Sequence, residues 1–205
     1  VFKPATLTPH TAMQLVQVFE EAGVPPGVLN LIYGSGGEIG NEIVRHPAVR
    51  AVSFTGSNEV GMGLYRLGAE HGKKIQCEMG GKNPVVILED ADFDLAVEGV
   101  AQGAFGSTGQ RCTATSRVVI MDSVADTFVT KLIERSKKIR PGIEMGPSVD
   151  ASQFETVMKA VQKAREEGAR CVLGGERERS AALEKGFYFP PTIFDHVKAA
   201  SNLAQ

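Results

Sequence analysis

The stretch Arg50-Ala51-Val52-Ser53-Phe54-Thr55-Gly56-Ser57, continued by Asn58–Gly68 and then Lys74-Ile75-Gln76-Cys77-Glu78, decides the fold. A short apolar run reads as a strand, Gly56-Ser57 as a turn, the next dozen residues as a helix, and Lys74–Cys77 as a second strand. Strand, helix and strand at this spacing form a β-α-β unit, which closes right-handed onto a parallel sheet.

Outward from this unit the alternation persists. Upstream, Thr8-Pro9 opens a helix with proline at its first position, where the missing N–H is harmless, and Ala12, Leu15, Val16 and Phe19 form one expected buried stripe. Gly23 and Pro25-Pro26-Gly27 stop it. Val1–Phe2 reads as the tail of a strand, Val28–Tyr33 as another strand, and Gly34–Gly37 leads into a helix that ends before Pro47. Downstream, Pro84–Leu88 and Ser116–Met121 read as strands. Asp92 caps a helix to about Phe105, and Ser123–Lys138 is helical with Val124, Phe128, Leu132 and Ile133 on one side. Asp150 caps a further helix to about Gly168, and short strands fall near Val172 and over Tyr188–Phe194. A change of composition at Gly80-Gly81 marks a border between residues 1–80 and 81–205.

Composition sets the outer limits. The 205 residues carry 22 Lys+Arg and 24 Asp+Glu, a net charge of −2, which gives no electrostatic case for a nucleic-acid partner. Apolar residues make up 42%, an ordinary globular share, and no run approaches the roughly 20 residues of a membrane span. Three cysteines, Cys77, Cys112 and Cys171, are too few and too scattered for a disulfide framework, so a reducing, cytoplasmic setting is expected. Val1 and Gln205 carry neither a start nor a stop signal, and the chain reads as part of a longer protein.

Four places carry possible chemistry. Gly34-Ser35-Gly36-Gly37 is either a phosphate-binding turn or a plain strand-to-helix turn. Ser57, behind Gly56, is either a pyrophosphate contact or a helix N-cap. Cys112 lies among glycines and hydroxyls in Gly106-Ser107-Thr108-Gly109-Gln110-Arg111-Cys112-Thr113, with Arg111 placed to favour a thiolate, so it is either a nucleophile or a free loop thiol. Glu78, directly after a strand and before Met79-Gly80-Gly81, is either a general base or a turn carboxylate. Cys77 and Cys171 read as core. His10, His46, His71 and His196 fall in helical or helix-end contexts. They suit neither a Cys–His hydrolase nor a metal site, and no metal is expected.

Together these motifs resemble the NAD(P)-dependent aldehyde dehydrogenases. The resemblance rests on Lys3-Pro4-Ala5 with Thr8-Pro9, Ala22–Asn30, Phe54-Thr55-Gly56-Ser57, Glu78-Met79-Gly80-Gly81-Lys82, Gly109-Gln110-Arg111-Cys112, and Gly186–Phe189 with Pro191-Thr192. It implies an α/β fold: a partial Rossmann-type parallel sheet, residues 1–80 being the second half of the cofactor domain, and a partial catalytic α/β domain over 81–205. It implies Cys112 as the nucleophile that forms a thiohemiacetal and then a thioester, and Glu78 as the base that activates water to release the acid. Lys3 is implied at the adenosine ribose, Gly56 and Ser57 at the pyrophosphate, and Met79 on the nicotinamide side. Many NAD-preferring members carry a glutamate where Thr6 stands, so NADP is expected to be accepted along with NAD.

The run Gly106–Arg117 is most similar to bacterial semialdehyde dehydrogenases acting on α-ketoglutaric semialdehyde, with succinic semialdehyde a close rival. A small aldehyde is the expected partner, and the parent enzyme is expected to be a homodimer or homotetramer. Family parts outside the chain include the asparagine of the oxyanion hole, and Lys138–Gly146 is shorter than its counterpart. Two functional classes follow: a catalytic fragment of an active parent, or a folded, non-catalytic piece. Little turnover is expected of the chain alone.

Overall fold

The computed structural model describes all residues, Val1–Gln205. They divide into two compact units, Val1–Gly80 and Gly81–Gln205.

The first unit contains α1 (Pro9–Glu21), α2 (Gly36–Arg45), β1 (Ala51–Gly56), α3 (Asn58–Glu70) and β2 (Lys74–Met79). β1 and β2 pair in parallel from Ala51↔Lys74 to Gly56↔Met79, with α3 as the crossover. Along β2 the side chains alternate. Ile75, Cys77 and Met79 are half-buried, while Lys74, Gln76 and Glu78 are exposed. α3 covers the first set, and it comes this close because two of its inward residues are glycines. A Cβ at Gly61 would collide with the Met79 thioether, and one at Gly68 with Ile75. Ser57 caps α3 by accepting from the Val60 N–H at 3.3 Å. Ser35 caps α2 by accepting from the Glu38 N–H at 3.2 Å, and its hydroxyl donates to Glu38 Oε2 at 2.8 Å.

Two expectations for this unit need correction. The stripe on α1 is narrower than its periodicity suggests: Ala12 and Val16 are buried, but Leu15 and Phe19 are 48% and 44% exposed. The unit supplies less covering surface than the stripe would need. Val1–Phe2 and Val28–Tyr33 are not strands but meet in one parallel bridge, Phe2↔Leu31. The ladder cannot grow because Val28 and Asn30 are held in a turn by the Pro25 and Gly27 carbonyls, and Pro4 has no N–H to offer.

The second unit contains β3 (Asn83–Ile87), α4 (Phe93–Phe105), β4 (Thr115–Ile120), α5 (Ala125–Ser136), α6 (Ala151–Glu166), β5 (Arg170–Leu173) and β6 (Ile193–Asp195). β3 and β4 are parallel, with α4 crossing between them; β5 and β6 are antiparallel. Asp92 caps α4 through the Asp94 and Leu95 N–H groups, and Asp150 caps α6 through that of Gln153. The core gathers Ile87, Val97, Val100, Ala101, Phe105, Phe128, Leu132 and Met145. Phe93 stands edge-on to the fully buried Phe128, with ring centroids 5.9 Å apart. Phe154, Val161 and Phe189 form a second cluster beneath α6.

Here too the sequence overreached in places. The expected strand Tyr188–Phe194 is reduced to Ile193–Asp195 because Pro190 and Pro191 cannot donate to a ladder. The helix expected from Ser123 begins at Ala125, after one tight turn over Asp122–Val124. His196 lies beyond β6 with φ 52, not in a helical context. The α/β class stands, expressed as three two-stranded sheets, of which two are parallel pairs joined by a helix and the third is antiparallel. No helix is long and apolar enough to cross a membrane.

Candidate active-site residues

Cys112 is exposed, in the loop between α4 and β4. The chain leaves α4 through three successive residues in left-handed conformation, Ser107 (φ 53), Thr108 (φ 60) and Gly109 (φ 66). Two of these are not glycine, a departure of the kind that collects at functional loops because surrounding contacts must impose it. Those contacts are visible. Gln110 donates its Nε2–H to the Pro147 carbonyl at 3.1 Å and accepts from the Val149 N–H at 2.9 Å. Arg111 donates from Nε to Ser107 Oγ at 3.0 Å, so its guanidinium braces the loop. The Ala114 N–H donates to the Arg111 carbonyl at 3.1 Å, closing a turn around the cysteine. Asn83, the first residue of β3, donates from Nδ2 to the Cys112 carbonyl at 2.7 Å and the Ala114 carbonyl at 3.1 Å.

The other thiols are held differently. Cys77 donates from Sγ to the Gly61 carbonyl at 3.6 Å under α3, and Cys171 to the Leu173 carbonyl at 3.3 Å. Both are half-buried. In the second unit the histidine is His196, which pairs with Asp195 Oδ1 at 3.3 Å.

Glu78 lies inside β2, not after it, because the strand runs on to Met79. Its register partner on β1 is Thr55. Alternation places Glu78 and Gln76 with Ser53 and Thr55 on the exposed face opposite α3, where the carboxylate meets solvent. Met79 points the other way, its thioether against Gly61. Any contact it made with a nicotinamide from here would run through its backbone.

Lys3, Pro4 and Thr6 lie together. A shallow depression of about 270 Å³ is lined by Pro4, Ala5, Thr6, Pro9, Tyr33 and Gly34. Lys3 reaches its rim, donating from Nζ to the Pro4 carbonyl and, at 3.5 Å, to the Gly34 carbonyl. A flat, largely apolar floor beside an ammonium and a hydroxyl suits an adenosine ribose. Gly56 leaves room for the Phe54 ring, which a Cβ there would press aside. Ser57 accepts the cap bond with its oxygen, which leaves its O–H, at the positive end of the thirteen-residue α3, available for an anion.

The bracing roles of Asn83 and Gln110 were missed in the sequence. Gln110 was visible only as part of a motif, and Asn83 only as the residue before Pro84. The signal in the sequence was slight: Pro84 removes one backbone donor at the start of β3, where an amide side chain stands next to it.

The aldehyde dehydrogenase family model matches residues 1–205. Over its whole length the chain is 42% identical to alpha-ketoglutaric semialdehyde dehydrogenase of Bacillus subtilis, of which it covers 43%. It is 40% identical to malonate-semialdehyde dehydrogenase of Lacticaseibacillus casei, with 97% of this chain and 41% of that protein aligned. The fold superposes on betaine aldehyde dehydrogenase of Staphylococcus aureus, solved with NAD+, at TM-score 0.95 and 36% identity, covering 99% of this chain and 41% of that one. The chain thus spans less than half the length of these relatives.

Proposed function

The chain belongs to the aldehyde dehydrogenase family, and from that premise we propose that it carries the nucleophile and the general base of an enzyme that oxidises an aldehyde to its carboxylic acid with NAD(P)+. The observation that carries this reading is the exposed Cys112 on a braced, left-handed loop, unlike the two half-buried thiols.

In this mechanism the Cys112 thiolate adds to the aldehyde carbon and gives the alkoxide of a thiohemiacetal. The bound nicotinamide supplies a hydride acceptor. Loss of hydride from the former aldehyde carbon leaves a thioester on Cys112. Glu78 takes a proton from water, the hydroxide adds to the thioester carbonyl, and the thiolate leaves as the acid is released. Lys3 and Thr6 would hold the adenosine ribose, and Gly56 and Ser57 the pyrophosphate, through the depression beside Pro4 and the N-terminus of α3. Met79 would contribute backbone alone.

The semialdehyde-like run Gly106–Arg117, together with 42% identity to the Bacillus enzyme, favours α-ketoglutaric semialdehyde as the substrate. Thr6 places no carboxylate where a 2′-phosphate would sit, which favours use of NADP as well as NAD. A second reading, a folded piece that keeps these residues without turnover, draws on the chain's covering only 43% of that relative.

The test is turnover of the semialdehyde with NAD+ or NADP+ by the full-length enzyme and by this chain, together with mass spectrometry of the trapped protein. Cys112→Ala is expected to lose turnover and covalent adduct alike, and Glu78→Gln to accumulate the thioester. Turnover undiminished in Cys112→Ala would refute the reading, and an unaltered chain that neither turns over nor forms an adduct would favour the second.

A further inference from the structure

Between Asn83 and Pro84 the parallel ladder of β3 and β4 breaks register. Asn83 pairs with Thr115 but Pro84 with Arg117, so Ser116 bulges between them. Pro84 brings no N–H to the ladder at this irregular point. The Asn83 side chain donates here instead. Its two amide hydrogens go to two carbonyl oxygens, of Cys112 at 2.7 Å and of Ala114 at 3.1 Å. Because both partners are acceptors only, the amide must present nitrogen to them, which fixes its orientation. The Ser116 hydroxyl, at the bulge, lies 3.5 Å from the Asn83 carbonyl and ties the same residue from its other side.

We propose that Asn83 is a positioning residue, a side-chain clamp that extends the β3–β4 ladder into the Cys112 loop and sets the backbone from which the thiol is presented. The proposal rests on the reading of Cys112 as nucleophile for its link to turnover, but the clamp itself is a statement about the loop. Gln110 fixes the loop to the 147–149 segment just before the cysteine, and Asn83 fixes the cysteine's own carbonyl. Without Asn83, the turn from Arg111 to Ala114 is held by one internal bond, from the Ala114 N–H to the Arg111 carbonyl, and that bond opens more often. A misplaced nucleophile of this kind loses rate on the order of 10²-fold even when it remains chemically intact.

The experiment compares the unaltered protein with Asn83→Ala, Asn83→Asp and Asn83→Gln. Iodoacetamide labelling of each cysteine is followed against pH by peptide mass spectrometry, and hydrogen exchange is followed at the Ala114 amide. Asn83→Ala is expected to speed exchange at Ala114 at least ~10-fold, as a local opening does, with Cys77 and Cys171 labelling as in the unaltered protein. Asn83→Asp turns two donors into a carboxylate facing two carbonyls. It is expected to move the Cys112 labelling profile to higher pH, because a nearby negative charge opposes the thiolate. In aldehyde turnover by the full-length enzyme, Asn83→Ala should lower kcat with the KM for the cofactor unchanged, and Asn83→Gln should recover part of the loss.

Cys112 labelling and Ala114 exchange that stay unchanged across the variants would overturn the clamp. So would a rise in labelling of all three cysteines together, which marks general loosening. If Cys112→Ala retains turnover, the nucleophile reading fails, while the exchange and labelling data still decide the clamp.

Discussion

Gln110 and Val149 are joined by a hydrogen bond of 2.9 Å from the valine N–H to the glutamine Oε1, and the same amide returns a bond of 3.1 Å to the Pro147 carbonyl. The glutamine offers a neighbouring backbone one acceptor and one donor, as a strand residue would, across nearly forty residues of sequence. Each such bond contributes about 1 kcal/mol net, so Gln110→Ala is expected to cost about 2 kcal/mol. Gln110→Glu keeps the acceptor and loses the donor, and should cost about 1 kcal/mol. Urea unfolding decides this, read as a fall in midpoint at unchanged slope. Equal losses in the two variants would show that the Pro147 bond alone carries the stability.

Arg135 on α5 donates from Nε and Nη2 to the two oxygens of Glu98 on α4, at 2.5 and 2.9 Å. The guanidinium holds the Glu98 carboxyl below its ordinary value of 4.5. A depressed folded value stabilises fully above the ordinary one, and that contribution is lost as pH falls through the lower folded one. Lys131 lowers Asp94 in the same way at the neighbouring turn, so the α4–α5 contact weakens as a whole in acid. Melting temperatures of the unaltered protein and of Glu98→Gln should therefore differ by a constant gap at neutral pH, and the gap should close below pH 4.5. A gap that persists through the acid series would place the effect of Glu98→Gln elsewhere.

The parallel pairs were legible because β1–α3–β2 and β3–α4–β4 are local, and each strand run ends at a glycine, serine or aspartate that says where the helix begins. Cys112 and Glu78 stand out in the sequence through the motifs that resemble the family, since each alone reads equally as a loop thiol or a turn carboxylate. The contacts that hold the Cys112 loop were not legible. Asn83 and Gln110 act through bonds to backbone atoms 29 to 39 residues away, and no periodicity reports such a bond. The α1 stripe failed for the complementary reason: periodicity shows which face is apolar, but burial depends on what other elements supply to cover it.

Thr6 lines the depression beside Lys3 with a neutral side chain. Thr6→Glu would place a carboxylate there, able to accept from ribose hydroxyls and to repel a 2′-phosphate. Two like charges within about 4 Å near a surface cost several kcal/mol, of which solvent and salt leave a fraction. In the full-length enzyme the ratio of kcat/KM for NADP+ over that for NAD+ is expected to fall at least ~10-fold, an effect of about 1.4 kcal/mol. Raised salt should narrow the difference. An unchanged ratio would mean that the ribose lies elsewhere.

Gly109 and Gly99 are expected to respond to alanine with opposite signs. Gly109 has φ +66, and a Cβ there would sit 2.9 Å from the Ala104 carbonyl oxygen, a backbone atom that cannot swing aside. Left-handed backbone costs an L-residue about 1–2 kcal/mol before any clash is counted, so Gly109→Ala should destabilise by at least that amount. Gly99, within α4, has nothing within 4 Å of its would-be Cβ and an ordinary helical backbone. Gly99→Ala should stabilise by about 0.5–1 kcal/mol through helix propensity alone. The pair separates the general effect of adding a methyl group from the demand of the loop. If Gly109→Ala proved as benign as Gly99→Ala in thermal melting, the left-handed run over 107–109 could not be a feature the loop depends on, and the bracing of Cys112 would rest on the side chains of Asn83, Gln110 and Arg111.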